Sequence, residues 1–354
     1  RYITPEFNGR FRIQNRYHYT SLEQCSFRYN WVRFQGPGNP GNLEPGSIET
    51  AQVIESGIPE ADPLLPGQNG MLQVPLFKGW QSCDALYLEA YDPHGRLIHT
   101  WSWPVKSPSR SAKEFLQTAS DPEAISVAET DSSLVLGTGQ LRIEFSKKDG
   151  MMISVKSNDW LAPISRGPVF RNDLPELKKF SHFAGENKHH LVADFGRVAS
   201  LEWIIYAGGQ VDMKLSYQPE ASQISFTGAS FSSPENRIQS VTFLGKGPYR
   251  VWKNRMKGGE FNVWRKDHNN TITGHSGFEY PEFKGYYSNL YWARIFDQQD
   301  HSFTVFCHTE DLFLRLFTPE EAPDPARTTV NHPPGDISFM LGIPAIGTKF
   351  KEAK

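Results

Sequence analysis

The feature that most constrains this chain is the recurrence of short runs in which apolar and polar residues alternate, each closed by turn chemistry. Cys25 to Phe34 alternates over its whole length. Ala85 to Tyr91 begins a second run, turns through Asp92-Pro93-His94-Gly95 and returns as Arg96 to Trp103. Asp first, Pro second and Gly fourth suit a type I turn. Further on, Gln140 to Phe145 and Met151 to Lys156 flank Ser146-Lys147-Lys148-Asp149-Gly150, where Asp-Gly signals a hairpin. Leu201 to Tyr206 and Val211 to Tyr217 flank Gly208-Gly209, and Leu290 to Phe296 and Ser302 to Cys307 flank Asp297 to His301. Successive side chains of a strand point to opposite faces, so this pattern fits sheets with one buried face. No segment keeps an apolar i, i+3, i+4, i+7 stripe over three turns, so helix content should be low.

The strands fall into two groups. Residues 1–106 hold several short alternating runs, including Phe11 to Asn15, and read as an immunoglobulin-like antiparallel sandwich. Long loops from Gly36 to Gly46 and from Gly57 to Gly70 interrupt it. Residues 107–122, between Lys106 and Glu123, open with Ser107-Pro108-Ser109-Arg110-Ser111 and read as a linker. Residues 123–354 then form one large antiparallel double-layer sheet. A length of 354 residues suits two such domains. The chain opens on Arg1 with no signal segment before its first strand, as expected of a piece of a longer protein.

Composition removes several function classes. A net charge of -2 offers no electrostatic reason to bind nucleic acid. No apolar run is long enough for a membrane span. Cys25, Cys83 and Cys307 are too few and too scattered for a disulfide framework or a zinc site and read as buried small residues. His189-His190 and His268 lack partners at metal-ligand spacing and read as surface or loop histidines, so no metal and no cofactor is expected. Gly274-His275-Ser276-Gly277 lacks the fifth glycine of a nucleophile elbow. Gly245-x-Gly247 lacks the third glycine of a phosphate loop.

Val241 to Ile295 stands apart, because it packs unusual residues into a region without a simple period, as functional loops do. Its marks are Gly245, Gly247 and Pro248, then Trp252 four residues on and Arg255 three further, then Pro281, Gly285 and Trp292. This arrangement resembles the C-terminal domain of large bacterial β-galactosidases of glycoside hydrolase family two. Gly139 to Gly150 and Leu341 to Lys349 match the start and end of that domain, and the resemblance covers nearly the whole chain. The chain departs from the family at Arg250, where an acidic residue is usual, and at Glu282-Phe283-Lys284, where a Gln-Glu-Asn triplet is common.

The resemblance implies an all-β architecture: an immunoglobulin-like spacer followed by an eighteen-stranded supersandwich similar to aldose mutarotases. It also implies that the catalytic barrel stands in the same parent chain, N-terminal to these residues, and that the parent acts on terminal β-galactosides or related β-glycosides with retention. Retention needs two carboxylates roughly 5 Å apart. No βα series exists here to carry them, and Glu310-Asp311, Glu320-Glu321 and Glu235 read as solvated turn residues. The catalytic residues are therefore none of those in this chain. Carbohydrate is the expected partner, through Lys349, Trp264, Glu282 and Tyr286, with Tyr287 as a further stacking candidate, whereas Trp292, within an alternating strand, reads as core in preference to a stacking platform. Lys349 matches a loop that in the family reaches toward the barrel. Gly245 and Gly247 are expected to turn the chain at positive φ, and Arg255 to lie inside the loop that follows. Two alternatives stay open: a stand-alone carbohydrate-binding module, and purely structural domains serving contacts in a homo-oligomeric parent.

Overall fold

Alternation becomes strand almost wherever turns permit, and the described residues are 53% strand and 6% helix. A computed structural model describes residues 2–38, 51–116, 123–220, 226–268, 284–319 and 332–345. The first group of strands is β1 (Arg10–Gln14), β2 (Ser26–Arg33), β3 (Gln52–Gly57), β4 (Glu60–Ala61), β5 (Asn69–Gln73), β6 (Ala85–Tyr91) and β7 (Leu97–Pro104). They form two antiparallel sheets, ordered β1-β5-β4 and β3-β2-β6-β7. Trp31, Leu72, Trp80, Leu86 and Leu88 form the core of this sandwich. The predicted turn joins β6 to β7, with the Gly95 amide donating to the Asp92 carbonyl at 2.9 Å. Gly95 has φ +75°, a value that glycine adopts without strain.

The Ser-Pro-Ser-Arg-Ser segment, read as linker, starts helix α1 (Pro108–Leu116). Pro108 supplies the preset φ of a first helical residue, and Ser107 Oγ accepts the Arg110 amide at 3.2 Å, which caps the first turn. The helix buries Pro108, Ser111 and Ala112, a face too small and too polar to register as an apolar stripe. Lys106, just before it, is buried and bridges Asp84 at 2.8 Å and Glu114 at 2.5 Å.

The second group is β8 (Ile125–Glu129), β9 (Ser133–Thr138), β10 (Leu141–Ser146), β11 (Met152–Ser157), β12 (Trp160–Val169), β13 (Lys179–Gly185), β14 (Lys188–Asp194), β15 (Ala199–Tyr206) and β16 (Val211–Tyr217). It continues with β17 (Gly228–Ser232), β18 (Ile238–Val251), β19 (Glu260–Asp267), β20 (Tyr286–Asp297), β21 (Ser302–Phe306), β22 (Phe313–Leu316) and β23 (Ile337–Met340). Twelve of these strands make one sheet, ordered β19-β18-β20-β22-β23-β17-β12-β11-β10-β9-β8 with β21 on β20. The other four, in the order β13-β14-β15-β16, form a second sheet. Leu191, Leu201, Trp203 and Ile205 from the small sheet share one core with Leu134, Leu136, Phe145 and Phe243 from the large one. Each such side chain contributes about 1.5–3 kcal/mol by leaving water.

The two groups meet over a third cluster. Val32, Phe34, Ala85 and Tyr87 of the first sandwich pack against Leu244, Phe261, Val263, Tyr291 and Trp292 of the second. Polar bonds set the register of this junction. The Tyr87 hydroxyl donates to the Phe261 carbonyl at 2.5 Å, the Phe261 amide to Ser102 Oγ at 2.6 Å, and the Tyr291 hydroxyl to the Lys106 carbonyl at 2.6 Å.

Candidate functional site

Among its described residues, the segment expected to be a long loop is mostly sheet. β18 runs unbroken through Gly245, Gly247 and a cis Gly247-Pro248 bond to Val251, and pairs with β19 as far as Gly247 opposite Glu260. Neither glycine marks a positive-φ turn. A Cβ on Gly247 would stand 2.8 Å from the Trp264 ring, and one on Gly245 would stand 3.0 Å from the Ser288 carbonyl oxygen. Close approach, rather than turning, requires glycine there.

β18 ends in a tight turn at Trp252, whose carbonyl accepts the Arg255 amide at 2.8 Å. Trp252 itself is buried. Its Nε1 donates to the Lys284 carbonyl at 2.7 Å, and its ring meets Tyr286 edge-on at 5.5 Å. Val251, Phe313, Met340 and Ile343 complete this cluster at one end of the large sheet. The Lys253 amide donates to the Pro344 carbonyl at 3.0 Å, which fastens the stretch leading toward Lys349 to the turn after Trp252.

Arg255 is exposed, contrary to expectation: the turn uses its backbone and leaves its guanidinium to solvent. A fully buried guanidinium is instead that of Arg315 on β22, which is 0% exposed. It donates to the Pro333 carbonyl at 3.0 Å and the Gly335 carbonyl at 2.5 Å, and burial pulls its pKa down to about 10. Arg250, the departure from the family pattern, is buried with its guanidinium 5.3 Å from the centre of the Tyr287 ring.

His332 stands between these groups. Phe317 lies edge-on to it at 5.3 Å, and the Tyr286 hydroxyl is 3.5 Å from Nδ1. Burial, then the charges of Arg315 and Lys284, lower its pKa to about 3, so the imidazole is neutral in ordinary conditions. Its Nε2 has no hydrogen-bond partner among the described residues. Burial also pushes the Tyr286 phenol far above its usual range. This end of the sheet therefore holds positive charge, hydrogen-bond donors and a neutral imidazole under an exposed turn carrying Lys253, Arg255 and Lys257. Such a surface suits oxygen-rich or acidic ligands.

Of the residues expected to touch carbohydrate, Trp264 and Tyr286 are present but enclosed. Trp264 lies in β19 and not in a loop, 3% exposed, with Nε1 donating to the Gly245 and Glu260 carbonyls at 3.2 and 3.1 Å. Tyr286 is fully buried. Core packing has claimed both ring faces, which corrects the expectation that they stack on sugar. Trp292 is buried within the junction cluster, as its place in an alternating strand leads one to expect. Gly285 opens β20 beside the Trp252 cluster. Glu282, Pro281 and Lys349 lie outside the described residues, as do Gly274 to Gly277.

The histidines expected at the surface differ too. His189 is buried on β14, and His268 stands 3.3 Å from Glu235, the acid read as a solvated turn residue. Sequence reading also missed Arg315 and His332. Arg315 carried a visible signal, a single cation inside the apolar run Leu312 to Phe317. His332 carried none, since its surroundings come from four separate strands and loops.

A separate cleft of about 630 Å3 opens beside the junction, lined by Gln35, Pro37, Phe115, Arg294, Thr304 and Phe306. Arg294 there donates to the Pro37 carbonyl at 2.7 Å and to Ser302 Oγ at 2.8 Å. It stands eight residues along β20 from Tyr286, roughly 25 Å at strand rise. The cleft and the Trp252 cluster are thus distinct places. No protein-family model matches this chain, and no curated protein matches it.

Proposed function

We propose that this chain is the non-catalytic C-terminal portion of a retaining β-galactosidase-like glycoside hydrolase, acting on terminal β-galactosides or related β-glycosides. In this reading the first sandwich is an immunoglobulin-like spacer, and the larger one is a mutarotase-like supersandwich that completes the substrate pocket. The observation that carries the proposal is the bond from the Lys253 amide to the Pro344 carbonyl, together with the burial of Trp252 against Tyr286. These join the two regions, the Gly-x-Gly-Pro segment and the stretch leading to Lys349, that the family resemblance assigns to one rim. The exposed cations around them would face the sugar and the barrel.

The alternative is a stand-alone carbohydrate-binding module, and the cleft at Arg294 favours it: aromatic rings beside a guanidinium and a hydroxyl suit a sugar ring with polar edges. Calorimetric titration with galactose and galacto-oligosaccharides separates the two. Pocket completion predicts no binding by this chain alone and no turnover of nitrophenyl β-glycosides. Millimolar or tighter binding that Arg294→Ala abolishes establishes the module instead, and turnover by purified chain overturns the non-catalytic assignment.

A further inference from the structure

One side-chain chain crosses between the edges of the two sheets of the larger sandwich. Lys147 Nζ, in the turn after β10, lies 2.8 Å from Glu129 Oε1. Glu129 Oε2, on β8, lies 3.3 Å from His182 Nε2 on β13. His182 Nδ1 in turn lies 3.0 Å from His189 Nε2 on β14. β8 is the last strand of the twelve-stranded sheet and β13 the edge of the four-stranded one. Edge strands have one unpaired side and are the first to open.

His189 occupies a position where strand parity calls for an apolar residue. It shares its face with Leu191 and Ala193 in the core and is 5% exposed. A hydrogen bond between two imidazoles needs one N–H and one lone pair. With His182 Nε2–H held by Glu129, one proton between the facing nitrogens satisfies both rings. Protonation of both rings removes that lone pair and sets two cations against each other at contact distance.

We propose that Lys147, Glu129, His182 and His189 form a pH-sensitive latch that holds the sheet edges together at neutral pH and releases β13 on acidification. The titratable groups facing the pair are Glu129 of β8 and Lys147 of the β10–β11 turn, while His190, on the opposite face of β14, bonds Glu202 of β15 at 3.0 Å. Burial, then His182 and His190, lower the pKa of His189. Its folded-state value is below the unfolded 6.5, so the unfolded chain binds more protons in between. The contribution to stability is complete above the unfolded value and is lost as pH falls from it toward the folded value. Glu129 acts in the same direction at lower pH, since Lys147 and His182 hold its carboxylate below the usual range.

Hydrogen–deuterium exchange on the whole chain tests the latch, with rates corrected for intrinsic chemistry, near pH 7.5 and near pH 5. Peptides covering Lys179–Gly185 should exchange about tenfold faster at the lower pH, while Ala199–Tyr206 in the same sheet stays protected. His189→Leu, which fills the core face with an apolar group that cannot titrate, should keep β13 protected at both pH values. His182→Asn, at a partly exposed position, serves if the first variant does not fold, and should also abolish the difference. Exchange of β13 that follows β15 at both pH values, or an acid response that survives in the variants, overturns the proposal.

Discussion

At the scale of single residues, two kinds of position in the Gly-x-Gly-Pro segment behave oppositely. A methyl at Gly247 meets the Trp264 ring at 2.8 Å, and that indole is held by two hydrogen bonds within the core. It cannot swing aside cheaply, so Gly247→Ala should cost roughly 1–3 kcal/mol, read as a lower denaturant midpoint. Arg255→Ala, despite its place in the motif, should stay within about 0.5 kcal/mol of the parent, because the side chain is exposed and only its amide closes the turn. Arg315→Ala should be the damaging arginine substitution. It leaves the Pro333 and Gly335 carbonyls without their buried donor and opens a cavity beside Phe317, a loss of roughly 2–4 kcal/mol in chemical denaturation.

At the scale of elements, α1 shows how a polar stretch can be structural. Its buried charge partner is Lys106, which joins Asp84 near the start of β6 to Glu114 in the helix. Asp84 Oδ2 also accepts the Phe34 amide at 2.8 Å, so the same carboxylate fixes the end of β2. Lys106→Ala leaves that half-buried acid without its cation and frees the helix from the first sandwich. Limited proteolysis should then cut within Pro108–Leu116, a segment resistant in the parent chain. Equal resistance in both proteins would show that helix docking rests on the packing of Pro108, Ser111, Ala112 and Phe115 and not on Lys106.

At the scale of the whole molecule, the junction cluster decides whether the two sandwiches unfold as one. Phe261 packs on Phe34 at 5.9 Å and on Tyr291 at 4.8 Å, and its backbone takes two of the three junction hydrogen bonds named above. The parent should therefore melt in a single calorimetric transition. Phe261→Ala, at about 3–5 kcal/mol, should split it into two. Beside it, burial and then the neighbouring Glu89 hold the Glu260 carboxyl above the usual range. Its folded-state pKa exceeds the unfolded value of 4.5, so its contribution is fullest below that value and falls as pH rises through the folded one. Glu260→Gln should raise Tm at neutral pH and leave it unchanged at low pH. A constant Tm difference across this range would mean that the Glu260 charge carries no cost at the junction.

The sequence by itself marked the hairpins that carry local turn chemistry. Alternation and Asp-Gly or Pro-x-Gly chemistry act over a few residues, so the hairpins at Asp92 to Gly95, Ser146 to Gly150 and Asp297 to His301 were legible, as was the low helix content. Tertiary structure decided which face of each residue was left over. Trp264 and Tyr286 look alike as sugar platforms or as core until β18, β20 and the Gly247 approach enclose them. The same holds for the arginines: no local pattern separates exposed Arg255 from buried Arg250, since burial depends on strands far apart in the chain. His189 and His332 were unreadable for that reason, because a histidine's charge is set by what surrounds it. Here the surroundings come from β8 and β13 in one case and from Trp252, Tyr286 and Arg315 in the other.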